Sequence, residues 1–250
     1  MTAKDLSNQI TVTYRMLRLG LAVLAFAFPI LLWGGGYILG HLPLAGSMSA
    51  YYHASDPSHP ELGPPGQGVM RNVFVGILFV VGGLLIVYQG MSRFEDWALN
   101  LAGVTAFGVA LFPMSWGPAA HDHVFSVHGA FAITFFACIA YVCIWRAGDS
   151  LVLIQDPKAK QKYQRSYQSL GVAMVLCPLA AWALISLLPF KKTVIFFVEL
   201  AGIYVFALYW VIKSREASRT QLDEKAQSGK VTARPQGVSH VFRASPLTVH

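Results

Sequence analysis

Charge is what this sequence has least of. Only 12% of its 250 residues are Asp, Glu, Lys or Arg, against 55% apolar, where a soluble domain carries about a quarter charged residues. That shortage excludes an ordinary water-soluble globule. Cysteine is scarce too. Cys138, Cys143 and Cys177 all lie in apolar runs, so they read as small buried hydrophobes, with neither a disulfide framework nor a C-x-x-C metal pair. The N-terminus lacks a short apolar stretch followed by a small-residue cleavage site. Its first apolar run is long, which points to a retained span and not a signal peptide. No internal repeat survives comparison along the chain, so an inverted-repeat transporter fold is unsupported. Gly66-Gln-Gly68 follows no strand and is not a phosphate loop.

What is present is hydrocarbon in long runs, with a mean hydropathy of +0.50. A helix needs roughly 20 apolar residues to cross a bilayer, and six such runs are visible, near 16–39, 72–89, 97–113, 118–145, 170–188 and 193–212. The pattern predicts an all-α integral membrane protein with six transmembrane helices over 16–213. A cytoplasmic lead-in, 1–15, precedes it, and a polar, mobile cytoplasmic tail, 214–250, follows. Pro29 and Gly34-Gly35-Gly36 predict a kink in the first span. A Gly/Pro-rich outer loop, 40–70, is long enough to expect function from it.

Lys and Arg choose the orientation. With the N-terminus inside, sixteen fall on the cytoplasmic side and three, Arg71, Lys191 and Lys192, on the outside. This is a strong positive-inside asymmetry. It places both termini in the cytoplasm and the chain in a cell membrane, the inner membrane in a prokaryote. It also accounts for the net charge of +7 as flanking of spans, so nucleic acid is not an expected partner. The bilayer is. Six of the eight histidines then share the outer side: His41, His53, His59, His121, His123 and His128.

Three groups of polar residues stand out against the hydrocarbon. Ser49 and His53 are four apart and share a face if their segment is α-helical. Such a pair lets an imidazole orient a hydroxyl, or lets the histidine hold a metal whose water the serine positions. The bland reading is an interfacial loop anchored by Tyr51 and Tyr52. His121 and His128 are seven apart, about 700° of helical rotation, and so nearly aligned. Asp122 lies beside them, and a folded-back loop would bring His53 as a third zinc ligand. Their bland reading is solvation and capping. Glu199 is the one acid inside a span, so it should face the bundle interior with a partner, Asn100 or a tyrosine being the structural choice.

Ser47-x-Ser-Ala-Tyr-Tyr-His53, Arg71-x-Val-Phe-Val-Gly76 and Gly108-Val-Ala-Leu-Phe-Pro113 resemble a bacterial family of multi-pass membrane proteins of unknown function, over roughly residues 40–213. The Ser49-x-x-x-His53 pair is also similar to the membrane hydrolase superfamily of alkaline ceramidases and adiponectin receptors, which sets Ser, Asp and several His around zinc. That superfamily has seven spans and a His-x-x-x-His pair in the last. Here there are six, and the last carries Glu199.

The expectation is therefore a metal-dependent hydrolase acting on a lipid or amide from an outward-facing pocket. His53, His121 and His128 would hold zinc, Ser49 would orient the metal water, and Asp122 or Glu199 would accept a proton. Two alternatives come from other classes. One is a non-enzymatic transporter or lipid-binding protein, the other a haem protein with two outer-face histidines as axial ligands.

Overall fold

The computed structural model describes residues 3–54, 68–114, 126–187, 193–227, 231–232 and 248–249. It is helical apart from one two-residue antiparallel pairing, β1 (Val231–Thr232) with β2 (Thr248–Val249). Six long helices carry the fold: α1 (Ala3–Gly40), α2 (Val69–Val87), α3 (Arg93–Leu111), α4 (Val127–Tyr141), α5 (Pro157–Leu187) and α6 (Thr193–Thr220). Each packs on the next, and α6 packs back on α1, closing a ring. Among the described residues, four helical stretches are long and apolar enough to cross a membrane: Asn8–Leu39, Val69–Val87, Val127–Leu153 and Thr193–Thr220.

The helix ends follow from local chemistry. Ser92 caps α3 by accepting from the Glu95 N–H at 3.3 Å, and the Glu95 side chain reaches back to the Met91 N–H at 2.8 Å, a reciprocal cap on orphan donors. Asp156 and Pro157 start α5, the carboxylate accepting from the Lys158 N–H and proline needing no N–H there. α1 runs unbroken through Pro29. It stops where His41 takes a left-handed φ of 49° and its N–H donates to the Tyr37 carbonyl at 2.9 Å, the five-to-one bond of an αL ending.

Gly36 serves a second purpose. A Cβ there would sit 3.1 Å from the Tyr51 ring, so the bare backbone lets the loop after α1 lie flat on that helix. That loop holds one 3-10 turn, Ser49–His53. Met48, Ala50 and Tyr51 are buried among Phe28 and Leu32 of α1, Met70 and Phe74 of α2, and Phe196 of α6. The Phe196 N–H, an orphan of the first turn of α6, donates to the Gly46 carbonyl at 3.0 Å.

The opposite end differs from the sequence expectation. α6 does not end at 213 but continues to Thr220, with Ser214, Glu216, Ala217 and Thr220 buried. A short α7 (Leu222–Gln227) follows and packs against α1. The part of the predicted mobile tail between 214 and 227 is thus a docked extension of the bundle. The reason is charge pairing. Asp223 receives a bidentate bond from Arg18, whose Nη1 lies 3.1 Å from Oδ1. Glu216 lies 3.0 Å from the Lys213 ammonium and accepts from the Tyr167 hydroxyl at 2.9 Å. Arg146 pairs with Asp149 at 3.7 Å. Cations that read as flanking signals in the sequence are here fully buried, which demands such partners.

Candidate functional site

Two of the expected histidines converge on the end of α3. That helix terminates at Leu111, just before Pro113, and its last carbonyls have no partner within the helix. The Phe112 carbonyl accepts from His128 Nδ1 at 2.9 Å, and the Met114 carbonyl accepts from His53 Nε2 at 2.9 Å. A carbonyl only accepts, so in the neutral imidazole the proton of His128 sits on Nδ1 and its Nε2 presents a lone pair. Ser49 Oγ lies 2.9 Å from that Nε2. The hydroxyl therefore donates to the imidazole. His128 itself is held in the first turn of α4, where Ser126 caps the helix by accepting from the Gly129 N–H at 3.0 Å.

The 3-10 turn explains why Ser49 and His53 do not act as a pair. Three residues per turn put residues four apart about 120° apart, against about 40° in an α-helix. Ser49 consequently turns towards His128, and His53 turns to Met114.

Glu199 projects inward from α6. Its partner is neither Asn100 nor a tyrosine but the Met48 backbone N–H, 2.6 Å from Oε2. The bond ties the loop after α1 to α6 at the residue before Ser49. Ser47 completes the loop's wiring, accepting from the Ala50 N–H at 3.2 Å and donating to Met114 Sδ at 3.3 Å.

Ser49, Ser126, His128 and Glu199 form the polar end of a cavity of about 330 Å³ to which all six helices contribute. The rest of its wall is apolar. Phe74, Ile77 and Val81 line it from α2, Phe135 and Phe136 from α4, and Gly202 and Phe206 from α6. Phe206 lies seven residues beyond Glu199, about 10 Å along the helix axis. One turn deeper on three lining helices stand Leu21, Leu85 and Trp210, all fully buried. Tyr88 packs edge-on against Trp210 at 5.0 Å.

Among the described residues, no three His, Cys, Asp or Glu come together to hold a metal ion. His121 and Asp122 lie outside the described residues, as does His123. Sequence reasoning missed the partners that orient the site, namely the Phe112 and Met114 carbonyls and the Met48 N–H. Main-chain groups leave no residue signature. The nearest readable signals are Pro113, which ends α3, and Ser126 three residues before Gly129, which starts α4. Compared with known proteins, the chain matches no family model, no curated sequence and no solved structure.

Proposed function

We propose that the chain is a six-span membrane hydrolase whose helical ring encloses a reaction chamber for the acyl group of a lipid ester or amide. Ser49 is the nucleophile and His128 its base. The observation that carries this reading is the ordered run from Ser49 Oγ to His128 Nε2, and from His128 Nδ1 to the Phe112 carbonyl, with both steps at 2.9 Å. A nucleophile in hydrogen-bond reach of a base, itself oriented by a third group, is the arrangement that nucleophilic acyl transfer requires.

The chemistry balances within these groups. Ser49 Oγ attacks the acyl carbonyl while Nε2 takes the hydroxyl proton. As the carbon–oxygen or carbon–nitrogen bond breaks, the imidazolium returns that proton to the leaving alcohol or amine. Water then attacks the acyl-serine with Nε2 again as base, releasing the carboxylic acid and restoring Ser49. Glu199 acts as a positioning residue, because its bond to Met48 holds the backbone immediately before the nucleophile.

The chamber's form supports a lipid substrate. Its polar end holds the reacting groups and its walls are hydrocarbon, as in ligand pockets that use a few polar groups for orientation. Leu21, Leu85 and Trp210, fully buried one turn beyond the lining residues Ala25, Val81 and Phe206, support a reaction chamber over a transport conduit. The six spans rest on the closed ring, in which α3 and α5 pack between membrane-length neighbours. The cytoplasmic placement of both ends rests on the Lys/Arg asymmetry.

Zinc is a second reading, resting on the convergence of His53 and His128 on neighbouring carbonyls at the end of α3. A zinc ion on Nε2 of His128 would displace the Ser49 hydroxyl, leaving it to hold a metal-bound water. One experiment separates the two. Purified full-length chain is treated with a long-chain fluorophosphonate, with and without a chelator. Labelling at Ser49, unaffected by chelator and slowed at least about 100-fold in His128→Ala, is the expected result. Folded protein that stays unlabelled defeats the serine mechanism. Chelator-sensitive turnover without labelling transfers the chemistry to zinc.

A further inference from the structure

The buried cations of this fold all have acid partners, but a second set of cations does not. Lys158, Lys162 and Arg165 of α5 make no ion pair among the described residues. The adjacent acid, Asp156, gives one carboxylate oxygen to the Lys158 backbone N–H. With Gln161, Ser166 and Ser169, these cations line a concave groove of about 490 Å³ in which no acid appears among the described residues. Lys158, Lys162, Arg165 and Ser169 recur at four, seven and eleven residues, a stripe that stays within roughly 40° of one helical face. Ser166 donates its hydroxyl proton to the Lys162 carbonyl, so its oxygen does not compete for the cations as a charge would.

The groove's apolar residues decide what it accommodates. They are Leu170 of α5 and Ile212 of α6, the residues at which the apolar run of α5 begins and that of α6 ends. The groove therefore straddles the boundary between headgroup and hydrocarbon. On α6, Arg215 and Arg219 are exposed and follow Ile212 by three and seven residues. That spacing keeps them within roughly 60° of the face that Ile212 presents.

We propose that this groove is a binding site for the phosphate headgroup of an anionic membrane lipid, with its acyl chains laid along Leu170 and Ile212. Phosphate supplies the charge that three unpaired cations lack, and hydroxyl and amide donors complete its coordination. Basic pockets between spanning helices at the Lys/Arg-rich surface suit such headgroups. The apolar residues at its inner edge favour a lipid over soluble phosphate. The site is separate from Ser49 and independent of the proposed hydrolysis.

The test uses full-length protein in detergent micelles, titrated with phosphatidylglycerol, with phosphatidylcholine or with inorganic phosphate, and bound lipid is read by native mass spectrometry. One phosphatidylglycerol should be retained, with neither phosphatidylcholine nor inorganic phosphate replacing it. Lys158→Gln/Lys162→Gln/Arg165→Gln should weaken retention roughly a hundredfold, while Lys158→Arg/Lys162→Arg keeps it. Arg15→Gln/Arg93→Gln/Lys160→Gln removes as much charge at exposed positions outside the groove and should leave retention intact. Equal loss in that control, undiminished retention in the groove variant, or equal retention of phosphatidylcholine each overturns the site. Inorganic phosphate binding as tightly as the lipid overturns the lipid as occupant.

Discussion

Glu199 illustrates how a residue's role depends on its partner. An acid inside a span reads as a proton carrier, yet its Oε2 accepts from a backbone N–H one residue before Ser49. A glutamine keeps an acceptor oxygen at that place and an alanine does not. Glu199→Gln should therefore retain activity within a few-fold of the parent, and Glu199→Ala should lose at least about tenfold, the factor that 1.4 kcal/mol, close to one hydrogen bond, commands. Turnover by the two variants, compared at equal folded protein, checks this. Equal loss in both makes Glu199 a proton acceptor and not a positioning residue.

Elements carry a different lesson, and α7 is where it is clearest. Residues 214–227 are polar in sequence, but Asp223 neutralises Arg18 of α1 and Glu216 neutralises Lys213 of α6. Breaking a buried ion pair from one side costs about 3–5 kcal/mol, because the remaining charge is left uncompensated. Truncation after residue 227 should leave thermal stability within a few degrees of the full chain. Truncation after residue 213 should lower it markedly, and Asp223→Ala should reproduce much of the loss. Thermal unfolding in detergent measures all three, and equal stability of both truncations removes α7 from the fold's foundations. α2 and α3 show the packing counterpart. A Cβ on Gly103 would lie 2.6 Å from the Gly82 carbonyl, so these helices touch backbone to backbone as membrane helices with small residues do.

For the whole molecule, the two ends of the ring are chemically unlike. One end gathers Ser49, His53, His128 and Glu199. The other gathers the buried ion pairs and the basic stripe of α5. If the six-span orientation holds, reporter fusions at residue 60 and within 150–165 should report outside and inside respectively. The same side for both sinks the orientation and with it the outward-facing chamber, while leaving the Ser49–His128 geometry as it is.

Some of this was legible before any coordinates. Long apolar runs separated by polar breaks dictate helices of membrane length, since hydrocarbon offers no other partner for backbone N–H and C=O groups. Scarcity of acids inside those runs singles out Glu199, and the polar content of the segments between them singles out Ser49 and His53 together with His121, Asp122 and His128. Their pairing was not legible. Ser49 meets His128 across 79 positions of chain, brought together because a 3-10 turn, and not an α-helix, carries Ser49. Main-chain carbonyls at the end of α3 set the tautomer of His128, and every residue type supplies the same carbonyl. Burial likewise turned Arg18, Arg146 and Lys213 from topology signals into structural charges. A sequence records which residues are charged, while only packing decides which of them lose their water and must find a partner.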